Sequence, residues 1–244
     1  EVLAEDDRGD FTRAGIQCTN QGKINSIQLP QLNVTGSIPY QVIGFFLPDL
    51  EILDLSLCYR LSNHRLGSEL GMLSSLNVIS LGNTNQMGSI PTELGVLRNL
   101  VSVHMSGNSL TGSLPSELGS WTSVENVNFW GNILTGSIPS QLGLLSSIEN
   151  FAVAMNQLTG SISSELGSWT SITSAQFHSN ALDGTIPSQL RSWRSLKTFN
   201  VFGNQLMGSI PSELVSWNSI TGASFESNAL TGTIPSEFGL WASI

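Results

Sequence analysis

The stretch "LVSVHMSGNSLTGSLP", Leu100–Pro115, decides the fold, because its pattern returns along the chain. "LKTFNVFGNQLMGSIP", Leu196–Pro211, is a second copy with apolar residues and asparagine at the same positions and a Gly-Ser-(Leu/Ile)-Pro end. An earlier copy of that end begins at Gly36. A fixed period indicates a solenoid of stacked repeats, each too small to bury its own apolar face. The Gly-(Ser/Thr)-(Ile/Leu)-Pro motif, which reads Gly-Ser-Ile-Ser once, begins every 24 residues, at Gly88, Gly112, Gly136, Gly160, Gly184, Gly208 and Gly232.

Each copy also contains the pattern Leu-x-x-Leu-x-Leu-x-x-Asn, which at a period of 24 residues predicts a leucine-rich repeat. Successive side chains of a strand point to opposite faces, so two alternate apolar residues of each copy face the core. These pairs run from Ile27 and Leu29 to Ala223 and Phe225, and they predict nine parallel strands in one sheet.

One polar position recurs directly after each strand, where the chain turns and backbone groups lose their ladder partners. A buried amide carries both donors and an acceptor and can satisfy such groups. Cys58 and Thr84 occupy the equivalent positions in earlier repeats, so we expect Cys58 to be a buried free thiol. The asparagines of this column are Asn108, Asn132, Asn156, Asn180, Asn204 and Asn228.

The recurrent Leu-Thr-Gly-Ser-Ile-Pro-Ser-Glu-Leu-Gly segment resembles the plant-type leucine-rich repeat of receptor-kinase ectodomains and polygalacturonase-inhibiting proteins. The resemblance covers nearly all of residues 15–244. It implies an α/β repeat fold, a right-handed solenoid with a concave parallel β-sheet and short helical turns on the convex side. It also implies a second short strand at Leu-Thr-Gly-Ser-Ile-Pro, with the glutamates in the first turn of the helices.

The resemblance divides the chain into an N-terminal cap, residues 1–23, and about nine repeats of 24–26 residues, residues 24–244, without a C-terminal cap. A continuation of the chain or a partner is therefore expected beyond Ile244, because solenoids cover their last core layer. "AGIQC" resembles the end of a plant-type cap, but Arg13 replaces the usual tryptophan and no second cysteine precedes Cys18. We therefore expect Cys18 and Cys58 to be unpaired thiols.

Bulk composition excludes several classes of protein. Charged residues make up only 11% of the 244 residues and the net charge is −9, which argues against a nucleic-acid partner. No apolar run approaches the roughly 20 residues of a membrane helix, so no transmembrane segment is expected in this chain. Two cysteines cannot form a dense disulfide framework.

The six tryptophans fall into two groups. Five share one repeat position, which predicts that they are core residues of the convex layer: Trp121, Trp169, Trp193, Trp217 and Trp241. The sixth, Trp130, follows the core residue Phe129 in the strand and must face the opposite, concave side. An exposed tryptophan among small polar neighbours is typical of an interface hot spot. We predict a ligand-binding patch on the concave face, formed by His104, Asn128, Trp130, His178 and Phe202.

Two further candidate sites lie outside this patch. Glu125-Asn126 and Glu149-Asn150 lie on adjacent strands, so their oxygens are a calcium candidate, with a solvated edge as the alternative. No Cys/His spacing suggests zinc, and we expect no metal or other cofactor and no catalytic residue. Asn33 begins the Asn-Val-Thr sequon and is a glycosylation candidate.

The sequence thus favours a non-enzymatic module that binds a protein or peptide on its concave face. We expect it to be extracellular, secreted or lumenal, including as the ectodomain of a membrane-attached protein. Two alternatives are an inhibitor of a secreted glycosidase and an accessory subunit of a larger assembly. A third is binding of ice or polysaccharide through hydroxyl rows, formed by Thr111, Thr135, Thr159, Ser113, Ser137 and Ser161.

Overall fold

The computed structural model describes residues 2–5, 11–62 and 64–240, and it confirms the leucine-rich-repeat solenoid. Nine parallel strands follow one another in chain order within one sheet, and equivalent residues of successive repeats are paired. We call this the concave sheet. Its strands are Ile24–Gln28, Ile52–Asp54, Val78–Ser80, Ser102–His104, Asn126–Asn128, Asn150–Ala152, Ser174–Gln176, Thr198–Asn200 and Gly222–Ser224.

Two further strands extend this sheet at its N-terminal edge, and the sequence pattern did not predict them. Phe11–Cys18 pairs antiparallel with Ile24–Gln28, and Val2–Glu5 pairs antiparallel with Phe11–Cys18. An uncovered edge strand exposes unpaired backbone groups. The antiparallel pairing satisfies those groups on the first repeat strand.

A second layer of short strands lies at the position of the predicted Leu-Thr-Gly-Ser-Ile-Pro strand, and we call it the lateral sheet. Its glycines have positive φ, for example 73° at Gly112 and 74° at Gly136, where a side chain would be strained. The six strands are His64–Arg65, Gln86–Ser89, Ser109–Gly112, Ile133–Gly136, Gln157–Ser161 and Ala181–Asp183. A separate parallel pair continues it, Met207–Gly208 with Ala229–Leu230.

The convex side consists of short helices with acidic residues in the first turn of most of them, as the resemblance implied. A glycine near the end of most of these helices faces the next repeat. A Cβ at Gly143 would lie 2.5 Å from the Glu165 carbonyl oxygen, so this glycine allows the helices to pack closely. The α-helix is Tyr40–Phe46, and the 3-10 helices are Ser68–Met72, Thr92–Val96, Ser116–Ser120, Ser140–Leu144, Ser164–Ser168, Ser188–Ser192, Ser212–Ser216 and Ser236–Leu240.

The repeat-column tryptophans lie in the core between the concave sheet and the convex helices, as predicted. Trp121, Trp169, Trp193 and Trp217 are at most 1% exposed, and Trp241 lies outside the described residues. Each buried indole N–H donates to a leucine carbonyl of an earlier convex helix, as Trp193 does to Leu166 at 2.9 Å. The rings of Trp169 and Trp193 stack at 5.7 Å, and those of Trp193 and Trp217 stack at 6.5 Å.

The asparagine column joins each repeat to the one before it. Asn156 Oδ1 accepts the Leu134 N–H at 2.9 Å, and its Nδ2 donates to the carbonyls of Phe129 and Val153, both at 3.0 Å. The same cross-repeat bonds recur at Asn132, Asn180, Asn204 and Asn228.

Cysteine takes the place of this asparagine in an early repeat. The Cys58 thiol donates to the Leu29 carbonyl at 3.0 Å, and burial raises the pKa of Cys58. Cys18 is exposed, and both cysteines are free, as expected from the sequence.

We expect Asn156→Ala to destabilise the chain by about 1–3 kcal/mol, because the buried Leu134 N–H loses its partner, whereas the Phe129 and Val153 carbonyls keep their bonds from Asn132 and Asn180. Urea unfolding followed by circular dichroism measures the change. The neighbouring Gln157→Ala is the control and should stay within about 0.5 kcal/mol, since Gln157 is exposed. Equal effects of the two variants would contradict this role of the column.

Gly143→Ala should lower the free energy of unfolding by about 1–3 kcal/mol, because its Cβ would collide with the Glu165 backbone. Gly222→Ala is the matched control, since no atom lies within 4 Å of a Cβ placed there. A thermal melt compares the two. A Gly143→Ala melting temperature as high as that of the control would show that the helices do not require this close packing.

Candidate binding face on the concave sheet

The strand geometry places Trp130 on the concave face, as the sequence predicted. Phe129 is 1% exposed and packs in the core, whereas Trp130 is 41% exposed. The Trp130 backbone N–H donates to Asn128 Oδ1 at 3.0 Å, which ties two of the predicted site residues together. The nearest positions on the neighbouring strands are small and buried, Ser106 on one side and Ala154 on the other.

His178 and Phe202 form a stacked pair on the same face. Their ring centroids lie 4.6 Å apart with an interplanar angle of 21°, and both residues are half-buried. Trp130 precedes His178 by two repeats, a separation of about 10 Å between strands. Ala154 occupies the position between them and has no exposed surface. Trp130 and the stacked pair therefore border one continuous surface, which we call the aromatic face.

His104 borders the aromatic face, because it pairs with Asn128 on the neighbouring strand and its ring contacts Ser106, the neighbour of Trp130. Its Nε2 lies 2.6 Å from Ser106 Oγ, and the pair stands against Gly82 of the preceding repeat, where a Cβ would be 3.3 Å from Nε2. Asp54 occupies the repeat position of His104 two repeats earlier. Its Oδ1 accepts a hydrogen bond from Ser56 Oγ at 2.7 Å. The five predicted residues thus lie on one face of the concave sheet, with the paired His104 and Asn128 at the polar border of the aromatic face.

Burial favours the neutral form of both histidines on the concave face. Burial lowers the pKa of His178, and burial also lowers the pKa of His104, partly offset by the negative charge of Asp54. Two polar atoms beside the stacked pair, His178 Nδ1 and Asn200 Oδ1, are buried without a hydrogen-bond partner in the described structure. A buried polar atom without a hydrogen bond lowers the stability of the folded chain.

The calcium candidate has its amide oxygens already engaged. Asn150 Nδ2 donates to Asn126 Oδ1 at 2.7 Å, and Thr173 Oγ1 donates to Asn150 Oδ1 at 3.2 Å. Glu125 and Glu149 are exposed at the ends of the same strands. Among the described residues, no three His, Cys, Asp or Glu side chains cluster as metal ligands. Calcium binding stays a prediction.

Two other candidate features are accessible. Asn33 and Thr35 of the sequon are exposed, so a glycan could be attached there. The hydroxyl rows are exposed on the lateral sheet rather than on the concave sheet, at Thr111, Thr135, Thr159, Ser113, Ser137 and Ser161. Glycosylation of Asn33 and recognition through the hydroxyl rows stay predictions.

Comparison with known proteins agrees with the fold. The Leucine Rich Repeat family profile matches residues 99–121 and 195–217. No curated protein sequence gives a match. Within the described part of the chain, no helix has the length and apolar character required to cross a bilayer.

Solved receptor ectodomains are similar over almost the whole chain. The Arabidopsis thaliana membrane receptor kinase GASSHO1/SCHENGEN3, whose ectodomain was solved with CASPARIAN STRIP INTEGRITY FACTOR 2, is 33% identical with a TM-score of 0.89. The Arabidopsis receptor kinase HAESA, solved with an N-terminal extended IDA peptide hormone ligand, is 29% identical with a TM-score of 0.83. The alignments cover 98% and 94% of this chain but only 28% and 38% of those chains.

A plant ice-binding protein shares the fold at 24% identity and a TM-score of 0.75, with 91% of this chain and 78% of that chain aligned. Because this chain spans well under half of the two receptor ectodomains, the similarity concerns one stretch of a longer solenoid.

Acidification from about pH 7.5 to about pH 5.5 should destabilise the chain through His178. Its pKa is lowered in the folded state, so the unfolded chain binds the proton more readily and stability falls as the pH drops below the unfolded value of about 6.5. His178→Gln should reduce this loss, measured as the pH dependence of the melting temperature. An unchanged dependence in His178→Gln would contradict the assignment.

Proposed function

We propose that this chain, a plant-type leucine-rich-repeat solenoid, is a non-enzymatic module that binds a protein or peptide on its concave sheet. The observation that carries the proposal is Trp130, a large apolar side chain that is 41% exposed on a face where the fold requires no aromatic residue. Tryptophan is prominent among the residues that dominate binding energy at interfaces.

The aromatic face indicates the chemistry of the ligand. Trp130 and the stacked His178 and Phe202 offer apolar surface, and a neutral imidazole adds no charge near pH 7. The polar neighbours Asn128 and Gln176 are amides, which can pair with the backbone of an extended peptide. We expect a peptide segment that places at least one apolar or aromatic side chain between Trp130 and His178.

The relatives support the binding role. Both receptor ectodomains reported above were solved in complex with a partner, and for HAESA that partner is a peptide hormone ligand. We extend this role to the present chain and propose an extracellular location, as for an ectodomain. An accessible sequon at Asn33 fits that location.

The two carboxylates Asp54 and Glu226 are too far apart to act together as a glycosidase pair. Asp54 and Glu226 belong to strands separated by seven steps of the sheet. A glycosidase pair requires carboxyl groups about 5–10 Å apart, and seven strand spacings are about 30 Å.

Selection of a displayed random-peptide library against the chain tests the proposal. We expect the selected peptides to be rich in aromatic and apolar residues and to lose about 2 kcal/mol or more of binding free energy, roughly 30-fold in Kd, with Trp130→Ala. The melting temperature of Trp130→Ala should stay close to that of the unmodified chain.

Tyr59→Ala is the matched control, since Tyr59 is an exposed aromatic residue outside the concave sheet. It should leave peptide binding unchanged. Peptides that bind Trp130→Ala as tightly as the unmodified chain would overturn the proposal, and so would a large loss of stability without loss of binding.

A further inference from the structure

One residue beside the aromatic face has a backbone conformation that is unfavourable for its side chain. Met155 has a φ of 53°, in the left-handed region where residues other than glycine are strained. The same turn position has a positive φ in every described repeat of the concave sheet, and glycine occupies it at Gly107, Gly131 and Gly203. Gly131 and Gly203 directly follow Trp130 and Phe202. The position therefore favours glycine, yet the repeat between Trp130 and His178 has methionine.

Packing within the chain does not require a methionine at this position. Met155 is 48% exposed and is not part of the hydrophobic core. A Cβ at the equivalent Gly131 would lie no closer than 3.7 Å to any atom, so glycine and a side chain both fit the turn. Of the five methionines of the chain, only Met155 has a positive φ. Strained residues without a packing role are typical of functional sites.

The backbone places Met155 between the two parts of the aromatic face. The Gly131 N–H donates to the Ala154 carbonyl at 3.0 Å, and the Met155 N–H donates to the His178 carbonyl at 2.9 Å. Met155 is thus a diagonal neighbour of Trp130 on adjacent repeats, with Cα atoms about 6 Å apart. Long side chains in such diagonal positions are within reach of each other.

The repeat of Met155 has no aromatic residue on the concave sheet. Its outward strand position is Ala154, which has no exposed surface, so the side chains around it cover it. Met155 supplies the exposed apolar surface of this repeat instead. Exposed or half-buried apolar and aromatic side chains therefore occur in four successive repeats, at Trp130, Met155, His178 and Phe202.

The turn that carries Met155 is held rigidly. The side chain of the next residue, Asn156, donates to the Ala154 carbonyl at 3.2 Å and accepts the Leu134 N–H at 2.9 Å. A contact residue on a fixed backbone loses little conformational freedom when a ligand binds.

We propose that Met155 contacts the ligand and gives the aromatic face a preference for an aromatic side chain of the bound peptide. This inference rests on the proposed function. A methionine sulfur makes favourable contacts with the edge of an aromatic ring, and the indole of Trp130 offers a surface for offset stacking. The outward strand positions from Asn126 to Phe202 contain no Asp, Glu, Lys or Arg, so a charged ligand side chain would find no ion-pair partner there.

Met155→Gly separates binding from stability. The probe is the tightest peptide selected from the displayed library, titrated calorimetrically into the chain. We expect the affinity to fall about fivefold or more, because the sulfur contact with the aromatic ring is lost. The melting temperature should stay the same or rise, because glycine relieves the strain at this φ. A lower melting temperature with unchanged affinity would show a packing role and overturn the inference.

A second peptide, with leucine in place of the aromatic residue, tests the preference. In the unmodified chain this replacement should weaken binding, and in Met155→Gly the same replacement should weaken it clearly less, because the two groups interact. An equal loss in both chains would contradict the preference, and so would a selection that yields binding peptides without aromatic residues.

Gln31→Gly is the matched control. Gln31 occupies the same turn position five repeats earlier, is exposed and has a φ of 58°, and its side chain is similar in length to that of methionine. This variant should bind the peptide as the unmodified chain does. Affinity that survives Met155→Gly but is lost in Trp130→Ala would overturn this inference alone. Affinity that survives both variants would overturn the proposed function as well.

Discussion

One turn asparagine in each repeat from Asn108 onward sets the geometry on which the rest of this molecule depends. The carbonyl oxygen of Asn132, for example, accepts a backbone N–H from the previous repeat, while its Nδ2 donates to carbonyls of both repeats. No repeat can therefore satisfy its own turn, and each completes the one before it. Cys58 shows the minimum that the position demands, because a thiol that donates to Leu29 is enough in an early repeat.

This requirement separates the residues that hold the fold from those that can carry a function. The inward positions of each strand, the tryptophan column and the turn asparagine are all committed to contacts between repeats. Outward positions on the same strands do not have to make these contacts between repeats. Trp130 and the stacked pair of His178 and Phe202 occupy outward positions, and Arg191 occupies a convex position where most other repeats have glycine. Residues that differ from the repeat pattern at such positions are therefore the best candidates for ligand binding.

The sequence predicted what periodicity controls and missed what packing controls. The nine parallel strands, the buried tryptophans and the free Cys58 follow from the positions that recur every 24–26 residues. The antiparallel strands Val2–Glu5 and Phe11–Cys18 lie outside that period and have no counterpart from which to infer them. Alternation placed His104 on the concave face correctly. Its turn toward Ser106, like the stacking of His178 on Phe202, depends on side-chain rotamers that no spacing encodes.

The tryptophan column has a consequence for how this molecule can be observed. Trp169, Trp193 and Trp217 stack nearly parallel in three successive repeats, at interplanar angles of 10° and 13°. Parallel indole rings at such short separations share excitation energy, so their near-ultraviolet signal belongs to the stack rather than to one ring. Loosening of any one of these repeats changes the optical response of its neighbours. The near-ultraviolet signal of these tryptophans therefore reports how closely the repeats in the C-terminal half of the solenoid are stacked.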